Sequence, residues 1–304
     1  MGGPVLREWI CALAARLPQL KLELDQPLAP YTSFRIGGPA LALAFPKDQE
    51  ELSALVRFAR EQEIALRILG GGSNLLVADE GVNALVVRLP SDGKIAVRGA
   101  GLSACAGCSK AAAAQAAAAA GLAGLEFAHG IPGTIGGGIR MNAGAYGGEM
   151  RMVTASVTAL DPAGDIRIFP REELAFSYRH SFFSAHPEYI VLSAEFTLTP
   201  DTPEAIYARM RELAARRREK QPLEYPSAGS VFKRPEGYFA GKLIEDAGLK
   251  GFAVGGAQVS EKHAGFIINR GGATAQDVRR LIGRIQETVY ARFGVTLECE
   301  IEMW

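Results

Sequence analysis

Apolar positions recur with a helical period over residues 48–59, where Asp48 and Glu51 form a capping pair and Leu52, Leu55, Val56 and Ala59 share one face. Short apolar runs at 65–69 and 84–89 predict strands, with Gly70-Gly71-Gly72-Ser73-Asn74 between them. A third strand is predicted over 94–98. An alanine-rich helix follows over 110–120, because alanine loses the least entropy on entering a helix. Two more β-rich stretches span 153–160 and 189–198. Thr202 and Pro203 open a helix with Ile206, Met210 and Leu213 on one face, and the proline-bearing stretch after Lys220 cannot continue it. Thr274 and Asp277 cap a further helix carrying Val278, Leu281, Ile282, Ile285 and Val289. The chain then alternates Leu297, Cys299, Ile301 and Met303 against Glu298, Glu300 and Glu302, which predicts a strand with one buried and one acidic face. That pattern runs to Trp304, so a short further tail is expected.

The elements are mixed α and β, and 304 residues exceed what one core usually serves, so two or three domains are expected, with a boundary near Thr202. Lys plus Arg and Asp plus Glu each total 33, leaving no basic excess to hold a polyanion or an anionic membrane. No apolar run approaches the roughly 20 residues that span a bilayer, and the short apolar stretch at 9–15 reads as a helix, not a signal peptide. Cys11, Cys105, Cys108 and Cys299 are too scattered for a disulfide framework, which points to a reducing compartment, the cytoplasm.

Gly70 to Asn74 forms one glycine loop. A longer one runs Gly130-Ile131-Pro132-Gly133-Thr134-Ile135-Gly136-Gly137-Gly138 and on to Asn142-Ala143-Gly144-Ala145-Tyr146-Gly147-Gly148. A lone glycine triplet signals only a tight turn. Two long loops in one half suggest a dinucleotide held between them, because glycine removes the Cβ that keeps a pyrophosphate from backbone N–H groups. Neither loop has the G-x-G-x-x-G spacing of a Rossmann site, and no G-K-[ST] marks a P-loop. Cys105-Ala106-Gly107-Cys108 has the spacing of a redox pair or half a zinc site; nothing completes a tetrahedral set, so it reads as an incidental pair and no metal is expected.

Residues 31–40 (Tyr-Thr-Ser-Phe-Arg-Ile-Gly-Gly-Pro-Ala), the Gly70 to Asn74 loop, residues 131–150 and Ala228-Gly229-Ser230-Val231-Phe232-Lys233 together resemble the UDP-N-acetylenolpyruvoylglucosamine reductase family, in order and across almost the whole chain. The resemblance implies an α+β fold: a two-part FAD-binding region of the vanillyl-alcohol-oxidase/PCMH type, over 1–92 and 93–201, and a UDP-sugar domain over 202–304. It implies noncovalent FAD, NADPH as reductant and UDP-N-acetylglucosamine enolpyruvate as substrate, in peptidoglycan precursor synthesis. In the family's reaction reduced nicotinamide passes hydride to FAD and leaves; the sugar then takes hydride from flavin N5 at C3 and a proton at C2. A monomer is expected.

By the same resemblance Ser230 is the proton donor, Arg179 pairs with the enolpyruvyl carboxylate, and Glu300 assists protonation of the enolate or polarises the developing enol. Lys233 stands near Ser230 in sequence, where it could stabilise an alkoxide. A planar guanidinium suits a carboxylate better than an ammonium does. Gly70, Gly71, Gly72, Ser73, Asn74, Gly130, Ile131, Pro132, Gly133, Thr134, Gly137, Asn142, Ala143 and Gly144 are the expected cofactor contacts. Lys233, Gln258 and Tyr178 are the expected substrate contacts, with His263 and Asn269 shaping the pocket and His129 near the flavin. Only nine residues separate Arg179 from Tyr189, so the chain resembles the shorter branch, without a substrate-covering tyrosine loop; Tyr225 and Tyr238 are candidates for that cover. Arg234 and Glu302 stand where relatives carry other residues, which touches the diphosphate contacts. Taken without the resemblance, Ser230 is an ordinary turn residue, Arg179 a surface arginine and Glu300 part of a solvated acidic stripe. An oxidase of the same superfamily would have no need for Ser230 and Glu300 together. A nucleotide-sugar sensor would have no need for an intact catalytic set.

Overall fold

The computed structural model describes residues 4–304, which form two compact units. The first takes the chain up to Gln26, Leu41–Gly71 and Asn83–Ala214; the second takes Pro27–Ala40, Gly72–Val82 and Ala215–Trp304.

The two larger sheets of the first unit each have their own core. One orders four strands as Lys21–Pro27, Pro39–Phe45, Val82–Arg88 and Leu66–Leu69, the last two parallel. Helix Gln49–Glu61 buries Leu52, Leu55, Val56, Phe58 and Ala59 in a cluster with Ala42, Ala44, Leu85 and Val87. The Glu51 N–H donates to Asp48 Oδ1 at 2.8 Å, the cap that the sequence predicts. Strands Lys21–Pro27 and Pro39–Phe45 are not predicted. The first lies at a sheet edge with most positions exposed or half-exposed, so no alternation marks it. In the second, buried alanines supply too little hydrophobic contrast to show a period.

The other sheet is antiparallel, with five strands ordered Ile166–Pro170, Thr154–Leu160, Ile190–Thr197, Gly101–Cys105 and Ile95–Arg98. Helix Lys110–Ala119 seats Ala113, Ala114, Ala117 and Ala118 in its core. Methyl side chains keep the helix backbone close to the core while demanding little rotamer entropy. Ser109 Oγ accepts from the Ala112 N–H at 3.0 Å and caps it.

In the second unit an antiparallel sheet runs Ser227–Ser230, Phe266–Asn269, Ala257–Val259, Ala253–Val254. Helix Ala275–Phe293 buries Val278, Leu281, Ile282, Ile285 and Val289 against it. A Thr274–Asp277 capping box opens this helix, and Gly294 closes it at φ 68°. Phe34, Ile36 and Leu76, from the early segments of the chain, fill the same core. The expected terminal strand is shorter than its pattern: Cys299 makes one isolated bridge to Phe232, and regular pairing begins at Glu302–Met303, parallel to Leu75–Leu76. Leu297 and Ile301 are buried as expected, but Met303 is exposed. No helix among the described residues is long and apolar enough to cross a membrane.

Candidate active site

In the first unit the two glycine loops meet. Gly70 and Gly71 leave strand Leu66–Leu69, and a Cβ built on Gly71 would stand 2.6 Å from Gly133 Cα, on Gly70 2.8 Å from Thr134 Oγ1. Glycine is therefore required at 70 and 71 by the approach of one loop to the other, a reason that the sequence does not reveal. Gly144 is similar, its missing Cβ making room for Gly148 and Glu149 across a tight hairpin. Gly137 differs. Its φ is not in the left-handed region, and the nearest atom to its would-be Cβ is Thr134 Oγ1 at 3.5 Å, ordinary contact. Nothing in the protein itself demands glycine there, so the position leaves a backbone surface open to an outside group.

The loop is anchored from behind. The Ile135 N–H donates to Cys108 O at 2.8 Å, the Gly136 N–H to Ala106 O at 2.9 Å, and the Lys110 N–H to Gly133 O at 3.2 Å. Thr134 Oγ1 accepts from the Gly137 N–H at 3.3 Å. Lys110, buried at the start of the alanine helix, reaches Thr134 O with its Nζ at 3.5 Å; a lysine opening an apolar helix was the only sequence signal for it. Gly130 and Ile131 turn back onto Ala128 O, and Pro132 leads into Gly133, whose φ is 104°. His129 closes the short helix just before, and its Nδ1 is the one buried side-chain nitrogen or oxygen without a hydrogen-bond partner among the described residues. A buried orphan at the entry to the glycine loop fits a site that binds a polar group.

Asn142 is fully buried at φ 42°, and its side chain is spent inside the protein. Nδ2 donates to Glu149 Oε2 at 2.8 Å and to Ser177 O at 2.9 Å, and Oδ1 accepts from the Arg151 N–H at 2.9 Å. The Ala143 N–H donates to Gly138 O at 2.8 Å. Asn142 thus ties the glycine loop to the turn Ser177-Tyr178-Arg179-His180, closed by reciprocal Ser177 and His180 backbone bonds. Arg179 sits at φ 53°, a left-handed position costly for a residue with a Cβ, and its guanidinium reaches Gly144 O at 3.3 Å and lies over the exposed Tyr178 ring. Tyr178, Arg179 and the 130–144 loop are therefore neighbours.

The second unit holds the other group. Between strands Ser227–Ser230 and Phe266–Asn269 the register moves by three residues on one side and two on the other, a bulge in which Gly229 takes φ 80°. Bulges re-aim the side chains beside them, here Ser230. The Glu300 N–H donates to Val231 O at 2.7 Å, and the Lys233 N–H to Glu298 O at 2.9 Å, so the segment before Trp304 lies along the one that carries Ser230. Asn74 Nδ2 donates to Glu300 O at 3.0 Å, and the Glu302 N–H to Asn74 O at 2.9 Å. Ser230, Lys233, Glu300 and the loop 72–74 come together, Ser230 and Glu300 both half-buried. In that loop Gly72, at φ 57°, could carry no Cβ, which would fall 2.1 Å from Tyr31 O; Ser73 beside it is half-buried. The Lys233 Nζ pairs with Glu298 Oε2 at 3.3 Å.

Gln258 is less open than expected, with Nε2 donating to Gly251 O and Oε1 accepting from Arg270, both at 2.8 Å. Asn269 holds Phe34 O through Nδ2 and accepts the Gly271 and Ala273 N–H groups at Oδ1. Burial pushes the His263 pKa down, and its Nδ1 accepts from the Gly265 N–H at 3.1 Å. Arg234 lies over the Phe239 ring. Tyr225 and Tyr238 are both exposed. Among the described residues no three His, Cys, Asp or Glu side chains are placed to hold a metal ion.

Residues 221–304 match the family profile of the UDP-N-acetylenolpyruvoylglucosamine reductase C-terminal domain, and residues 40–169 that of an FAD binding domain. The chain is 51% identical to a UDP-N-acetylenolpyruvoylglucosamine reductase of Caldanaerobacter subterraneus over 94% of its length and 95% of the relative's. It is 50% identical to one of Agathobacter rectalis over 97% of its length and 98% of that chain. The crystal structure of UDP-N-acetylenolpyruvylglucosamine reductase from Thermus caldophilus superposes with a TM-score of 0.81 at 39% identity, covering 94% of this chain and 99% of that one.

Proposed function

The chain belongs to the UDP-N-acetylenolpyruvoylglucosamine reductase family, and on that premise we propose that it reduces the enolpyruvyl group of UDP-N-acetylglucosamine enolpyruvate to the lactyl ether with NADPH. It is an FAD-dependent oxidoreductase of peptidoglycan precursor synthesis. FAD, when bound, would supply the hydride chemistry that links NADPH to C3 of the enolpyruvyl group. Residues 1–92 and 93–201 serve the flavin, and 202–304 serve the UDP-sugar.

The 70–74 and 130–144 loops hold the flavin without a covalent bond, the open face at Gly137 and the polar orphan at His129 supporting that assignment. Negative charge gathers at C2 and on the carboxylate as C3 is reduced. The Arg179 guanidinium, with its fixed pair of donors, accepts that carboxylate, and the left-handed backbone supports a selected role for the residue. Ser230 passes its proton to C2 and regains one from solvent, while Glu300 polarises the enol. Lys233, Gln258 and Tyr178 bind the substrate, Gln258 by exchanging one of its internal bonds. The cytoplasm is the proposed compartment and a monomer the proposed state.

The observation that carries this reading is the 2.7 Å bond from the Glu300 N–H to Val231 O, which sets the segment that carries Glu300 beside the one that carries Ser230. The test is an anaerobic titration of the flavin spectrum. Bands that bleach with NADPH and return on adding the enolpyruvyl sugar support the reading; bands that return only in air overturn it.

A further inference from the structure

The pair Cys105 and Cys108 is used by none of this chemistry. The Cys108 N–H donates to Cys105 O at 3.0 Å, closing a four-residue turn. Such a turn keeps its end Cα atoms within about 7 Å, and disulfide-bonded residues span about 4.4–6.8 Å. A Cβ built on Gly93 would stand 2.6 Å from Cys105 Cβ, 3.2 Å from Cys105 Sγ and 3.4 Å from Cys108 Sγ, so both sulfurs pack against the same glycine. Both cysteines are free thiols, Cys105 half-buried and Cys108 buried. The Cys108 thiol donates to Gly93 O at 2.9 Å, and burial, then the neighbouring Cys105, pushes its pKa up. That division suits a pair in which the more open sulfur attacks and the buried one resolves.

The turn is also the back wall of the long glycine loop. Ala106 O and Cys108 O accept the Gly136 and Ile135 N–H groups. The turn has little room to shift as a body, because a Cβ at Gly107 would fall 1.9 Å from Pro90 O.

We propose that Cys105 and Cys108 form a reversible disulfide that loosens the 133–136 loop and so weakens FAD binding under oxidising conditions. The oxidant is a low-molecular-weight disulfide. The Cys105 thiolate attacks one of its sulfurs and releases the first thiolate. The Cys108 thiol then loses its proton to solvent and displaces the second. The protein dithiol is oxidised by two electrons, and the incoming disulfide is reduced to two thiols. Bond formation takes the thiol donor from Gly93 O and, because Gly107 is held against Pro90, puts the strain of closure on the flanking carbonyls, turning Ala106 O off the Gly136 N–H and Cys108 O off the Ile135 N–H. The effect on FAD rests on the flavin reading above; the disulfide itself does not.

Trypsin, cutting after Arg98 and Lys110, releases both cysteines in one peptide, residues 99–110. Holoenzyme treated with oxidised glutathione should yield this peptide lighter by two hydrogens, reverting with dithiothreitol. FAD affinity, followed by flavin fluorescence on dilution, should fall by about tenfold, or 1.4 kcal/mol. Cys105→Ser and Cys105→Ala should keep their affinity after the same treatment. An unshifted peptide, or a disulfide that leaves FAD affinity unchanged, overturns the proposal. A reduced protein without flavin overturns the flavin reading instead, and the peptide mass distinguishes the two failures.

Discussion

In the first unit the parts around Thr134 are built mostly from backbone: Gly71 lies against Gly133, carbonyls of Ala106 and Cys108 hold the loop, and the buried side chains of Lys110 and Asn142 are spent on contacts within the protein. In the second the groups around Ser230 are side chains, held by a bulge and a few backbone bonds from the 298–302 segment. Backbone is a shape that every substitution with a Cβ disturbs, while a side chain can be removed with its scaffold intact. The first unit should therefore lose cofactor and stability together, and the second should lose turnover alone.

The strongest way to break that contrast is Ser230→Ala. It should lower kcat about 100- to 10,000-fold while NADPH still bleaches the flavin at the normal rate, in stopped-flow absorbance; slowing of both half-reactions to the same degree would erase the distinction. Next is Gly71→Ala, whose new methyl meets backbone on the facing loop. It should cost about 1–3 kcal/mol and weaken FAD binding, read from melting curves with and without added FAD.

A smaller effect is expected of His263→Asn. The folded histidine pKa is depressed by burial and the ring accepts from the Gly265 N–H, so its contribution is present above the ordinary histidine range and is lost as pH falls. Below about pH 6 the variant should lose stability less steeply than the parent in urea melts, by under about 1 kcal/mol after solvent screening; identical slopes would refute the assignment. Smallest is Glu298→Gln. Its carboxylate is 73% exposed although it pairs with Lys233, so stability should change by under about 0.5 kcal/mol. Glu300→Gln should slow reoxidation by the sugar instead, which separates the two glutamates of one acidic stripe.

The long helices were legible because they carry period and caps: Asp48, Ser109, Thr202 and Thr274 each accept the backbone bond expected of a cap, and all but Ser109 were read as caps from sequence. Two strands that lack alternation, one buried throughout and one at a sheet edge, were not. Phe266–Asn269 is buried at all four positions and shows no alternation, while Ile166–Pro170 leaves Ile166 and Ile168 in solvent. The glycine loops were visible as composition, but the need for glycine at 71 depends on a contact with Gly133, far along the chain, that no local pattern encodes. The Asn142 clamp and the bulge at Gly229 were invisible for the same reason. The resemblance singled out Glu300 from its neighbours, which the alternating pattern alone could not do.

The second unit's core has a further consequence, for biosynthesis. Phe34 and Ile36 are made early, yet the residues that enclose them, from Ala228 to Ile301, leave the ribosome last. Until then, of the buried residues of that core, only Leu76 is available to them. A nascent chain halted after residue 214 should therefore present a sticky surface, and holdase chaperones should be retained by it until translation resumes.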